Sequence, residues 1–367
     1  MSHCSHPICF ILPPHIESKL AENPKYRARA LRSIQISERQ RGIRQAAALL
    51  PLLGQAGTKH RTIFDDRQTT DLPGTKVRDE GEGQSSDVSV NEAYDYSGDT
   101  YDFYSQVFNR NSVDDHGLTL KSTVHYDFQY DNAFWNGQQM IYGDGDGELF
   151  TRFTISVDVI GHELTHGVTQ NEAQLVYQGQ SGALNESMSD VFGSLIKQWV
   201  NNETADKADW LIGKGLLMPS VQGVALRSMK EPGTAYDDPN LGKDPQPADM
   251  KHLVDTDSDN GGVHINSGIP NRAFCLAAIN IGGYAWQKAG LIWYRTLTGG
   301  LSPTANFQDA ADATVSRATT LFGDKSTEQK AVIDAWSTVG ITPKTTRPVA
   351  LAAPPKSKLA KPAKPAA

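Results

Sequence analysis

Two histidines four residues apart, with a glutamate directly after the first, constrain this chain more than any other feature: Val159-Ile160-Gly161-His162-Glu163-Leu164-Thr165-His166. On an α-helix, positions i and i+4 lie one above the other on the same face, so both imidazoles can grip one metal ion. Glu163 then sits beside the metal without competing for it, where it can take a proton from a water that the metal activates. The neighbours carry the same period. Val157, Ile160, Leu164 and Val168 repeat at spacings of three and four, an apolar stripe, while Asp158, His162 and His166 form a second stripe at steps of four. A chance match on a solvated helix face would share these letters, so the remaining sequence has to decide.

At 367 residues the chain suits two folded lobes plus extensions. No run approaches a membrane span. The longest N-terminal apolar stretch, Ile8 to Leu12, is too short for a signal-peptide core and runs straight into Pro13-Pro14. Charge is unevenly spread. Residues 1–50 carry eight Lys/Arg against three Asp/Glu, and residues 343–367 carry six Lys/Arg and no acid. With the whole chain at −7, ends of +5 and +6 leave −18 on residues 51–342, so one or both ends are expected to lie on the acidic body. The three cysteines, Cys4, Cys9 and Cys275, argue against a disulfide framework. Cys275 reads as a core filler in an apolar run. Cys4 and Cys9 lie among His3 and His6, where a thiolate could take an open metal position or simply be a free thiol.

Residues 15–50 have helical patterning that ends at Pro51 and Gly54-Gln55-Ala56-Gly57, a cleavable linker by composition. Residues 60–150 read as strands and loops around one helix. From Ile155 to Ile341 the pattern is mainly helical, and Ser326 with Gln329 marks the last helix by a capping box. Beyond Pro343 the Pro/Ala/Lys composition cannot build a core and is expected to be disordered.

A catalytic zinc takes three protein ligands and leaves one position open. A histidine six residues beyond His166 would complete one known ligand pattern, but Glu172 stands there. Asn185-Glu186-Ser187-Met188-Ser189-Asp190 supplies a better candidate. Leu184, Met188, Val191, Leu195 and Trp199 form the apolar stripe of a second helix, with Glu186 and Asp190 four apart on its polar face. Glu186 can reach the metal, and Asp190 can accept the second ring N–H of a liganding histidine.

With these motifs assembled, the chain resembles the thermolysin-like (M4) zinc metalloendopeptidases from about residue 60 to 341. The resemblance is carried by Asp131-Asn132-Ala133-Phe134-Trp135, Tyr142-Gly143-Asp144-Gly145-Asp146-Gly147, His162–His166, Gly182-Ala183-Leu184-Asn185-Glu186 and Asp259-Asn260-Gly261-Gly262-Val263-His264-Ile265-Asn266-Ser267-Gly268. It implies an α+β, two-lobed fold, with a β-rich N-terminal lobe, a mainly α-helical C-terminal lobe and the zinc cleft between them. It implies one zinc held by His162, His166 and Glu186, with Glu163 as the base. His264 and Tyr177 would stabilise the oxyanion, and Asp259 would orient His264. Asn132 and Ala133 would bind the substrate strand, and Arg227 the carbonyl after the cut. The family prefers a bulky apolar residue on the amine side of the cut. Pro13-Pro14-His15-Ile16 resembles the short prosegments of the protealysin-like sub-group, which cover the cleft until removed, here by a cut near residues 51–58. The expected division is therefore 1–57 prosegment, 58–190 N-terminal catalytic lobe, 191–342 helical lobe and 343–367 tail.

One departure from the family pattern concerns calcium. The family's paired site draws on the position of Asp158 and on glutamates where this chain has Lys197 and Lys214. An ammonium neither ligates calcium nor tolerates its charge, so the paired site is expected to be absent or reduced, with Lys197 pairing to Asp158. The Gly143–Gly147 segment reads as a tight turn rather than a calcium loop. The function expected is thus a zinc-dependent endopeptidase made as a latent precursor, acting as a monomer on peptides and proteins. It is expected to be secreted by resemblance, without a recognisable signal peptide. The alternative is a catalytically silent member serving as a binding protein. An aminopeptidase lacks a signature for the free amine, and the basic ends lack any nucleic-acid module.

Overall fold

The computed structural model describes residues 9–47 and 58–344. Its N-terminal part is one mixed sheet built from β1 (Cys9–Phe10), β2 (Arg61–Asp65), β3 (Thr75–Asp79), β4 (Leu120–Val124), β5 (Ala133–Trp135) and β6 (Met140–Tyr142). Across the sheet they run β1-β5-β6-β4-β2-β3. β2, β4 and β6 are parallel, whereas β5 turns back antiparallel to β6 and presents its other edge to β1. Two helices follow β1, α1 (Pro14–Glu22) and α2 (Arg27–Ala47), and α3 (Val88–Phe108) packs on the sheet. Asp87 starts α3 by accepting the N–H of Ser89 and Val90, the usual cure for unpaired amides at a helix start.

The centre of the molecule is a pair of helices, α4 (Val157–Asn171) and α5 (Gly179–Asn201). Every residue of α4 from Asp158 to Thr169 is buried, so the stripe at Asp158, His162 and His166 faces protein rather than water. Two glycines let the helices cross closely. A Cβ on Gly193 would lie 2.4 Å from the Asp158 carbonyl oxygen, and one on Gly161 would lie 2.7 Å from Ile196 Cδ1. Lys197 ties the crossing together, with Nζ 2.8 Å from Asp158, 2.9 Å from Asp209 and 2.5 Å from the Leu211 carbonyl. The expected Lys197–Asp158 ion pair is therefore present. The division expected after residue 190 falls inside α5.

Between Asn202 and Ser258 the chain is not α-helical. It forms two ribbons, β7 (Leu211–Ile212) with β8 (Arg227–Ser228) and β9 (Asp237–Asp238) with β10 (Gly242–Lys243), joined by turns. Gly and Pro recur through 213–247, which breaks any helical run despite the helical character on either side. Helices resume with α6 (Asp259–Asn266), α7 (Gly268–Ile281), α8 (Ala289–Leu297), α9 (Phe307–Phe322) and α10 (Thr327–Thr338). The capping box expected at Ser326 is half formed. Ser326 accepts the Gln329 N–H, but the Gln329 side chain takes the Lys325 N–H; the complete box lies at Asn306 and Asp309. The tight turn expected at Gly143–Gly147 lies slightly later: Gly143 and Gly145 donate to the Asn132 and Tyr130 carbonyls, and the chain bends at 147–149, where Asp146 accepts the N–H groups of Glu148, Leu149 and Phe150.

The N-terminal segment lies on the body, as its charge led us to expect. Ile11, Leu12, Ile16 and Leu20 are buried in the main core. Arg29 pairs with Asp131 and Asp146, Arg32 with Asp127, and Lys25 with Glu148. The linker at 51–57 and the tail from 345 onward lie outside the described residues, as does Cys4. Among the described residues no helix is long and apolar enough to cross a membrane.

Candidate active site

The crossing of α4 and α5 brings together side chains from both helices. His162 and His166 turn their Nε2 atoms to within 3.0 Å of each other, and the Glu186 carboxylate lies 3.5 Å from each ring. One ligand atom from each of the three falls within 4.8 Å of the others. All three are buried, and Glu186 Oε2 has no hydrogen-bond partner among the described residues. That oxygen has the His162 and His264 Nε2 atoms near it, at 3.5 and 3.6 Å, and a buried carboxylate so placed favours a cation beside it. Two nitrogens and one carboxylate at this spacing suit zinc.

The far side of each ring is held. The Nδ1 of His162 bonds Asp190 Oδ1 at 2.7 Å, and that of His166 bonds Asn185 Oδ1 at 2.8 Å with Ser189 Oγ at 3.0 Å. These contacts leave Nε2 directed at the shared point. Asp190 is held in turn by Arg227, whose Nε and Nη2 donate at 2.9 and 2.8 Å, and by Asn271 Nδ2 at 2.8 Å. Burial alone would raise the Asp190 carboxyl, but Arg227 and His162 hold it down to about 2.

Glu163 points from α4 toward β5, where its Oε2 accepts the Trp135 N–H at 3.1 Å; Oε1 has no partner among the described residues. Burial pushes its carboxyl up to about 8, against the pull of His162. His264, on α6, is gripped at both ends of its residue by Asp259, Nδ1 to Oδ1 at 2.6 Å and backbone N–H to Oδ2 at 2.8 Å. Burial works against the charged ring, but Asp259 and then Glu186 raise it to about 9. Its Nε2 is therefore a charged donor at neutral pH. The kink that aims it comes from Asn260, Gly261 and Gly262, all at positive φ, and two of the three are glycines for which this is free of strain. The Tyr177 hydroxyl donates to Glu186 Oε1 and lies 3.3 Å from His264 Nε2.

Residues 10–12 fill the groove in front of this cluster. Ile11 N–H donates to the Ala133 carbonyl at 3.1 Å, and Leu12 N–H to Asn132 Oδ1 at 3.0 Å. Arg227 Nη1 donates to the Ile11 carbonyl at 3.1 Å, and His264 Nε2 to the Phe10 carbonyl at 3.0 Å.

All the residues singled out from sequence converge on one locus: His162, Glu163, His166, Glu186 and Asp190 on the helix pair, with Tyr177, Asp259, His264, Asn132, Ala133 and Arg227 around it. Asn185, Ser189 and Asn271 were missed. Asn185 and Ser189 sit four apart on the same helix as Glu186, so a search for a partner to His166 would have found them. Asn271 lies in the apolar helix α7, where nothing marks it. The Arg227–Asp190 ion pair was also not legible.

Comparison with known proteins agrees with this geometry. The thermolysin metallopeptidase catalytic domain matches residues 54–170, and the thermolysin metallopeptidase alpha-helical domain matches residues 173–341. An extracellular metalloprotease of Pectobacterium carotovorum subsp. carotovorum is 50% identical over 346 residues, covering 92% of this chain and 97% of that protein. Protease PrtS of Photorhabdus sp. (strain Az29) is 55% identical over 287 residues, 77% of each chain. The precursor of protealysin, a metalloproteinase from Serratia proteamaculans, superposes with a TM-score of 0.83 at 52% identity, covering 91% of this chain and all of that one.

The ring-holding contacts predict a measurable effect. Asp190→Asn should lower zinc affinity by about 10–100-fold, read by competition with a chelator, because it weakens the hold on His162 and strands Arg227. An unchanged affinity in a folded variant would deny Asp190 that role.

Proposed function

The chain belongs to the thermolysin family of metallopeptidases, and from that membership we propose that it is a zinc-dependent neutral endopeptidase made as a self-inhibited precursor. The observation that carries this reading is the buried Glu186 carboxylate beside the His162 and His166 Nε2 atoms, one ligand atom of each within 4.8 Å of the others, with Glu163 on the same helix as the two histidines. His162, His166 and Glu186 would hold the zinc, which would supply a Lewis acid to polarise the peptide carbonyl and make water more acidic. Glu163 takes the proton that water gives up as its oxygen adds to the carbonyl carbon, then hands that proton to the departing amine. His264, kept charged by Asp259, and the Tyr177 hydroxyl donate to the oxygen on which negative charge grows. Asn132, the Ala133 carbonyl and Arg227 align the peptide backbone across the site, and the pocket past the cut favours a bulky apolar side chain. The presence of ligands and base together leaves the silent-binder alternative without support.

Residues 1–57 act as the prosegment, removed by a cut near residues 51–58. Secretion is the proposed destination, since the Pectobacterium relative is named an extracellular metalloprotease. The paired calcium site is absent or reduced, because the Lys197 ammonium already lies between Asp158 and Asp209, with Lys214 3.3 Å from Asp209. A divalent cation there would have to displace a buried positive charge.

Two measurements follow. Glu163→Ala should keep its zinc and lose about 10³-fold or more in kcat/KM on a peptide with an apolar residue after the cut. Near-normal turnover would remove Glu163 from the chemistry. Adding millimolar calcium to calcium-free, zinc-loaded protein should leave the melting temperature where it was, and a rise of several degrees would restore the calcium site.

A further inference from the structure

The segment that covers the cleft runs through it in the direction and register of a substrate, and we infer that the site cuts it between Phe10 and Ile11, giving a precursor that is clipped yet still inhibited. This rests on the endopeptidase reading above. β1 adds antiparallel to β5, with Phe10 opposite Phe134 and the two rings 5.0 Å apart. From the Phe10 carbonyl to the Leu12 amide, each backbone polar group meets a residue assigned to substrate. The Phe10 carbonyl faces His264, the donor to developing charge, and His264 Nε2 is itself 3.6 Å from Glu186. The next amide, Ile11 N–H, goes to the Ala133 carbonyl; the Ile11 carbonyl goes to Arg227; and Leu12 N–H goes to Asn132. That sequence of contacts makes Phe10–Ile11 the bond at the reacting position. Ile11 is a fully buried apolar side chain just past it, matching the preference proposed for this site.

In the cut, water's oxygen bonds to the Phe10 carbonyl carbon as the bond to the Ile11 nitrogen breaks. Both of water's protons end on that nitrogen, the first by way of Glu163, leaving a Phe10 carboxylate and an Ile11 ammonium. Each piece keeps contacts of its own. Phe10 keeps its place in β1, buried with Tyr126, Tyr130, Phe134 and Ile141, and the piece from Ile11 onward keeps Leu12, Ile16 and Leu20 in the core and Arg29 on Asp131 and Asp146. The cleft past the cut therefore stays filled.

The test follows the intact mass of the zinc-loaded full chain over time, beside Glu163→Ala and Ile11→Asp, with a reporter peptide as the activity assay. Wild type should gain a cut after residue 10 at a rate independent of protein concentration. The clipped form should stay silent toward the reporter until the remainder of the prosegment is removed. Both variants should remain whole at that bond, while the mature form of Ile11→Asp, which no longer contains the substitution, should match wild type. In the uncut Glu163→Ala chain, the Ile11 and Leu12 amide hydrogens should exchange slowly. If the mature enzyme turns over the reporter but the precursor is never cut after residue 10, or those amides exchange freely, the register claim falls and the peptidase reading stands. If the mature chain cleaves no peptide, both fall.

Discussion

A buried carboxylate needs a positive partner, and the Glu186 carboxylate is placed where the protein alone supplies only part of one. It can be buried there because Gly161 and Gly193 let α4 and α5 approach almost backbone to backbone, bringing a histidine pair on one helix against a glutamate on the other. The same crossing sets the surroundings in place. Asp190, one turn past Glu186, holds His162 from behind and is itself held by Arg227 from β8 and Asn271 from α7. His162, Asp190 and Arg227 are thus links of one hydrogen-bonded chain, so a change at any of them is felt at the others.

The cleft beside this cluster runs along the outer edge of β5, where β1 pairs. Such an edge recognises any extended peptide through backbone bonds, which is what an endopeptidase requires and what also lets its own N-terminal segment occupy it. Charge supplies the selectivity for that segment. Lys25, Arg29 and Arg32 on or beside α2 meet Glu148, Asp131, Asp146 and Asp127, which places basic residues of the N-terminal end on the acidic body. Inhibition and catalysis therefore draw on the same backbone contacts and differ in how firmly the flanking residues are anchored.

Much of the site was legible in sequence because helices write their geometry into spacing. His162, Glu163, His166, Glu186 and Asp190 were readable from periods of three and four, and the Lys197–Asp158 pair from counting turns. Arg227 and His264 sit on elements remote in sequence from the metal helix, and Tyr177 lies in the irregular connection between α4 and α5, so no helical period links any of them to the metal and their roles came only through resemblance. Asn271 carries no signal, since one asparagine in an apolar helix looks the same whether or not it meets a buried carboxylate. The mainly helical pattern expected from Ile155 to Ile341 is present, interrupted between Asn202 and Ser258, where Gly and Pro outweigh the helical flanks. The division expected after residue 190 falls within α5, Gly179–Asn201.

With His162, His166 and Glu186 holding one zinc while the prosegment is in place, zinc-edge X-ray absorption on the intact precursor, combined with metal stoichiometry, should show one zinc per chain with a shell of nitrogen and oxygen at about 2.0–2.2 Å and no sulfur. A shell that requires a sulfur at about 2.3 Å would put a cysteine thiolate on the metal. That result, or a precursor that binds no zinc at all, would rule this ligand set out.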